Sequence, residues 1–157
     1  EEQNGYLSNW YRSAFTVDEI TFSSMEQNMM YEKAILFQDY QTAEKILSTD
    51  DVAEIKALGR IVQHFDEEIW REKREKIVHK GVLQKFLQNP ELAEKLLETG
   101  EQMIAECAVK DKIWGIGLSM WDEERFCVDK WKGQNLLGKI LMQVRAEISV
   151  QNQNTEK

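Results

Sequence analysis

Glu26 and Lys33 lie inside Phe22-Ser-Ser-Met-Glu-Gln-Asn-Met-Met-Tyr-Glu-Lys-Ala-Ile-Leu-Phe37, the most hydrophobic helical stretch of this 157-residue chain. At about 100° per residue, Phe22, Met25, Met29, Met30, Leu36 and Phe37 fall on one arc, with Glu26 and Lys33 at its centre. An acid and an amine are therefore expected to face inward. A rise of about 1.5 Å per residue sets their backbones about 10 Å apart, too far for a comfortable ion pair but suited to two side chains converging on a substrate. A carboxylate can move a proton, and a desolvated lysine can serve as nucleophile or as fixed positive charge. A structural explanation also exists, in which the lysine stem snorkels along apolar surface and the acid pairs with another helix. Because a buried pair rarely adds net stability, the functional explanation is favoured.

A second segment, Asp111-Lys-Ile-Trp-Gly-Ile-Gly117, combines an acid, an indole and two glycines in a helix-poor stretch. Glycines such as Gly115 let backbone approach a ligand closely, and the Trp114 face can stack on a flat heterocycle. A tight turn around a core tryptophan explains the same residues. Trp70, with Lys73 and Arg74 about one turn away, offers another aromatic surface near cations, or a core position. Arg60 and the start of the last helix at Gly133-Gln-Asn135 are candidate phosphate contacts, because guanidinium and exposed helix N–H groups favour anions. Arg60 equally suits a surface salt bridge.

Other chemistries find little support. Two cysteines, Cys107 and Cys127, and two histidines, His64 and His79, supply neither the number nor the spacing of a metal site, and no metal or cofactor is expected. Both cysteines are expected to be reduced and packed. A formal charge of −8 and a pI near 4.9 argue against general nucleic-acid binding, which needs clustered Lys and Arg. No apolar run approaches the roughly 18 residues of a membrane span. No signal segment opens the chain, so a cytoplasmic location is expected. The absence of an initiator Met at Glu1 leads to the expectation of a trimmed or processed chain. There is no GxGxxG after a strand, Walker loop, GxSxG elbow or HExxH, and Gly115-Ile-Gly117 stops short of a dinucleotide fingerprint.

The elements that must position these residues are mostly helical. Phe15-Thr-Val-Asp-Glu-Ile-Thr-Phe22 reads as a short hairpin turning at Asp18-Glu19. Ser23 or Ser24 caps the helix of Glu26 and Lys33, which should end near Phe37. A short helix follows over Tyr40 to Leu47, then one capped within Ser48-Thr-Asp-Asp51 and containing the costly Gly59. Asp66 opens a long charged helix to about Leu87, and Pro90 starts another that Thr99-Gly100 stops. Met103 to Cys107 alternates like a short buried strand, and Val109 to Gly133 reads as mostly loop. Gln134 or Asn135 caps a last helix with an apolar face of Leu136, Leu137, Ile140, Leu141, Val144 and Ile148. The expected fold class is mainly α, one multihelical domain over residues 1–150 with a few short strands near the N-terminus and around 103–107. Residues 151–157 form a polar, frayed tail.

As an ordered set, several motifs make the chain resemble the NADAR family of YbiA-like N-glycosidases. They are Gly5-Tyr-Leu-Ser-Asn-Trp-Tyr11, Phe15, Met25-Glu-Gln-Asn-Met-Met-Tyr-Glu-Lys-Ala34, Ala57-Leu-Gly-Arg60 and Phe65-Asp66 with Trp70. Lys85-Phe86, Gln88-Asn-Pro90, Leu97-Glu-Thr99, Asp111 to Gly117, Gly133-Gln-Asn-Leu-Leu-Gly-Lys139 and Val144-Arg145 complete it, so nearly the whole chain is covered. The resemblance implies hydrolysis of a ribose C1–N bond in a small phosphorylated ribosyl substrate. Family members are associated with ribosylamino-pyrimidine phosphates of early riboflavin synthesis and with ADP-ribosylated guanine.

The family pattern implies active-site positions at Glu26, Lys33, Trp70, Asp111 and Trp114, with Asn9, Arg60 and Gly115 as further substrate contacts. Glu26 would be the acid/base, and Lys33 a Schiff-base nucleophile or a fixed charge. Asp111 would hold a ribose hydroxyl or base N–H. Gln27 stands where many relatives carry histidine, which puts histidine-assisted proton transfer in doubt. A competing class is a non-catalytic module binding NAD or ADP-ribose; a third is a helical interaction protein. Oligomeric state is open.

Overall fold

A computed structural model describes residues 3–156. Among them, helices α1 (Met25–Leu36), α2 (Tyr40–Leu47), α3 (Val52–Arg60), α4 (Glu67–Gln88), α5 (Pro90–Glu98) and α6 (Leu136–Thr155) outweigh one hairpin, β1 (Arg12–Val17) and β2 (Ile20–Ser24). The mainly α architecture is as expected. The chain groups into two compact units, residues 1–94 and 95–157.

In the first unit the hairpin pairs Phe15 with Phe22, Thr16 with Thr21 and Val17 with Ile20. Its two turn residues, Asp18 and Glu19, have φ of 48° and 70°. That left-handed pair is what a two-residue turn needs to follow the strand twist. Phe15, Val17 and Phe22 point into the core. The Gln88 amide closes the outer edge of β1, accepting from Thr16 N and donating to Thr16 O, each at 2.7 Å. Asn89 adds a bond to Ala14 O.

Helix α1 is the hub, packed by β2, α2, α3 and α4. Ser24 caps it by accepting from Gln27 N. The Gln27 side chain is fully engaged: Oε1 accepts from Ser23 N, and Nε2 donates to Ile46 O and Thr49 O. Gln27 is thus a clamp between α1 and the end of α2. With neighbours on so many sides, the first turns of α1 are buried all round, polar Glu26, Gln27 and Asn28 included. The single apolar arc therefore understates the burial of this helix. Lys33, expected at the centre of that arc, is half-buried.

Aspartates cap α2, α3 and α4 from Asp39, Asp51 and Asp66. Asp39 does more than cap: it accepts from Thr42 N and, through its other oxygen, from Gln63 N in the segment after α3. The Gln63 bond and then the Thr42 bonds hold its carboxyl below the usual 3.8. A depressed carboxyl contributes stability that is complete above its ordinary pKa and fades as pH falls through its lower folded value. Asp39→Ala should destabilise by about 1–2 kcal/mol. Urea titrations at pH 7 and pH 3 check it, since the gap between wild type and variant should shrink at the acid end. Gly59 has a packing reason: a Cβ there would run into the Met30 side chain.

In the second unit α5 ends at Thr99 and Gly100, whose φ is 61°. Residues 103–107 form no strand, contrary to expectation. Their backbone is instead held singly, Glu106 O accepting from Ile116 N, and Ile104 O and Glu106 N bonding the Asn135 side-chain amide. The alternating pattern reports a chain lying on a surface without a partner strand. Asn135 sits at the N-cap of α6 with φ of 52°, but its side chain is spent on 104–106 and does not cap. The apolar face expected for α6 is buried from Leu136 to Ile148. The helix continues to Thr155, so residues 151–155 are helical and exposed where a frayed tail was expected. Cys107 and Cys127 are free but exposed, not packed, since both lie in irregular chain without an inward face. No described helix is long and apolar enough to cross a membrane.

Candidate active site

Three elements converge on the Lys33 amine. Nζ donates to Gly59 O, near the end of α3, at 2.8 Å. It stands 4.5 Å from the centre of the Phe65 ring, before α4, and 5.8 Å from that of Trp70 on α4. Phe65 is fixed edge-on against Phe37, the residue that ends α1, with ring centres 5.3 Å apart. Aromatic faces tolerate a cation yet displace its water. Desolvation accordingly holds the Lys33 pKa below its ordinary 10.5, while the Glu67 and Glu26 carboxylates pull it back up. A lysine so placed reaches its neutral, nucleophilic form more readily than a solvated one.

Glu26, two turns earlier on the same face of α1, is 5% exposed and lies in the first turn, where the helix dipole favours a carboxylate. Its backbone N–H donates to Asn9 O at 2.8 Å. The loop bearing Asn9 is itself held from α4: Lys85, 1% exposed, donates through Nζ to Tyr6 O at 2.7 Å and Ser8 O at 3.1 Å. Asn9 is buried beside Glu26, and its Oδ1 accepts no hydrogen bond from any described residue. A ligand N–H or O–H would satisfy that oxygen.

Trp70 is 7% exposed, a degree of burial that the core position also allowed by the sequence would give. Arg60 ends α3 in solvent, next to the Gly59 carbonyl that Lys33 uses. Phe65, Glu67 and Gly59 O are neighbours of Lys33 that sequence reasoning did not assign. Nothing in composition or spacing marks them, because they come from a helix end and a connecting segment brought to α1 only by packing.

The second unit contains Asp111, Trp114 and Gly115. Asp111 Oδ1 accepts from Ile113 N at 3.0 Å and Trp114 N at 2.8 Å, an Asx-type turn that shapes the loop. Gly115 is buried where a Cβ would press on the Asp111 and Glu106 carbonyls. Lys112, Ile113, Trp114 and Gly115 offer their carbonyls to the amides of Gln134, Leu136, Leu137 and Asn135. The start of α6, expected as a phosphate contact, thus has these donors occupied by the chain itself. Asp111→Ala should cost about 1–2 kcal/mol by removing both turn bonds, measured as a lower denaturant midpoint.

A sequence profile of the NADAR domain matches residues 1–149. The chain belongs to the NADAR domain family. Among similar proteins, an N-glycosidase of Acanthamoeba polyphaga mimivirus is 45% identical over 126 residues, 80% of this chain and 74% of that protein. A riboflavin biosynthesis protein of Vibrio vulnificus is 34% identical over 148 residues, 94% of this chain but 36% of that protein, so this NADAR chain spans about a third of it. The NMR structure of Escherichia coli YbiA superposes with a TM-score of 0.78 at 26% identity, covering 94% of this chain and 80% of that one. The mainly helical NADAR fold is therefore shared with a solved structure.

Proposed function

We propose that this NADAR chain is an N-glycosidase, a hydrolase that breaks the C1–N bond of a phosphorylated ribosyl substrate. Ribosylamino-pyrimidine phosphates and ADP-ribosylated guanine are the two substrate types the proposal covers. The observation that carries it is Lys33, a desolvated amine held between Gly59 O, Phe65 and Trp70 on the same helix as buried Glu26. The names of the mimivirus relative and of E. coli YbiA, both N-glycosidases, agree with it.

C–N cleavage leaves positive charge at the sugar carbon and negative charge on the departing nitrogen. Glu26 supplies a proton to that nitrogen and later removes one from water. The ribose ring opens as the nitrogen lone pair forms C1=N and the ring oxygen leaves with the C1–O pair and takes a proton. The neutral Lys33 amine then adds to C1, and the departing nitrogen takes a proton and leaves with the C1–N electron pair. Water then adds to the Lys33–C1 imine, releasing the sugar aldehyde and restoring the amine. Trp70 stacks on the substrate and Asn9 Oδ1 accepts one of its hydroxyl or N–H donors.

The decisive experiment incubates the protein with ribosylamino-pyrimidine phosphate, ADP-ribosylated guanosine and NAD, with chromatography of the products. Release of free base or amine together with the sugar phosphate is the expected result. Binding of these compounds without release of base from any would overturn the enzymatic reading in favour of a nucleotide-binding module.

A further inference from the structure

Glu67, Trp70 and Arg74 follow one another at one-turn spacing along the start of α4, so their side chains share a face. Arg74 is 4% exposed, a costly place for a guanidinium unless its N–H groups are met. They are not fully met: Nη1 makes no hydrogen bond with any described residue. Nη1 stands 3.6 Å from Glu67 Oε1, close enough for attraction but beyond hydrogen-bond contact. The same Oε1 lies 4.0 Å from Arg71, and the Glu67 and Arg71 side chains are 51% and 66% exposed. Glu67 can therefore leave Arg74 and stay paired with Arg71 in water, whereas the Arg74 guanidinium stays buried.

We infer that Arg74 is the anchor for the phosphate group of the ligand, and that Glu67 is a placeholder which the phosphate displaces. A phosphate offers several acceptor oxygens to a planar guanidinium and can satisfy Nη1, which the distant carboxylate does not. Trp70, between the two residues on the helix, is a ring that Lys33 faces at 5.8 Å, so Arg74 lies one helical turn along α4 from that ring. This inference rests on the glycosidase reading only for the ribosyl part of the ligand. The anchor itself is testable by binding, without turnover.

Calorimetric titration with ribose 5-phosphate and with ribose, on wild type, Glu67→Gln and Arg74→Lys, tests it. The wild type should prefer ribose 5-phosphate. Glu67→Gln should tighten ribose 5-phosphate roughly fivefold and leave ribose unchanged, because a competing charge is removed. Arg74→Lys should lower the preference about tenfold or more, because an ammonium lacks the guanidinium fork. Ribose 5-phosphate binding no tighter to Glu67→Gln than to wild type, or an undiminished preference in folded Arg74→Lys, overturns the assignment. Should Arg74→Lys fail to fold, the Glu67→Gln comparison decides alone. Phosphate preference that responds to both substitutions in a protein without turnover would sink the glycosidase reading and keep the anchor; turnover with unresponsive preference would do the reverse.

Discussion

Lys33→Ala is expected to lower kcat/KM by about 10³-fold or more while the protein still unfolds cooperatively, because the amine is proposed to form the covalent bond to C1. Its structural contribution is small by comparison. The side chain is half-buried and makes one hydrogen bond, to Gly59 O, whose loss costs on the order of 1 kcal/mol. Borohydride added during turnover should leave a reduced sugar on Lys33 in the wild type; full activity with no such adduct would reduce Lys33 to a fixed charge. Trapping should also rise with pH as the ammonium loses its proton, with a midpoint below the ordinary 10.5 because desolvation disfavours the charged form. Glu67 favours that charged form, so Glu67→Gln should move the midpoint lower still. A midpoint at or above 10.5 would contradict the desolvated site.

Glu26→Gln should lower kcat by about 10²- to 10⁴-fold with little change in KM, the range expected when a positioned proton donor is lost. The amide keeps the size and shape of the acid in a position 5% exposed, so substrate contacts survive while proton transfer does not. Leaving-group chemistry separates this role from a structural one. A substrate whose departing nitrogen needs little protonation should be cleaved almost as fast by Glu26→Gln as by wild type. A uniform loss across leaving groups, accompanied by a lower melting temperature, would instead make Glu26 a packing residue.

How much of this was legible in the sequence depends on the range of the forces involved. Helix starts were readable because capping is local: Ser24, Asp51 and Asp66 each bind amides two or three residues on, and Pro90 sits where a missing N–H does no harm. The turn at Asp18-Glu19 was readable for the same reason. The alternation at 103–107 misled because period two records which side chains are covered, not whether a neighbouring strand exists to take the backbone bonds. Asn135 was a correct N-cap position with the wrong use of its side chain, since the competing acceptor and donor at Ile104 and Glu106 are some thirty residues away.

The candidate site divides along the same line. Sequence alone determined that Glu26 and Lys33 share one face of α1, because helical periodicity follows from backbone geometry without reference to neighbours. It determined equally that Trp70 and Arg74 are neighbours on α4. Only the tertiary structure decided that Lys33 ends against Gly59 O, Phe65 and Trp70, that Asn9 Oδ1 is buried beside Glu26, and that Asp111 spends an oxygen on its own loop. Desolvation and hydrogen-bond satisfaction depend on which distant segments displace water from a group, and those neighbours exist only once the chain has packed.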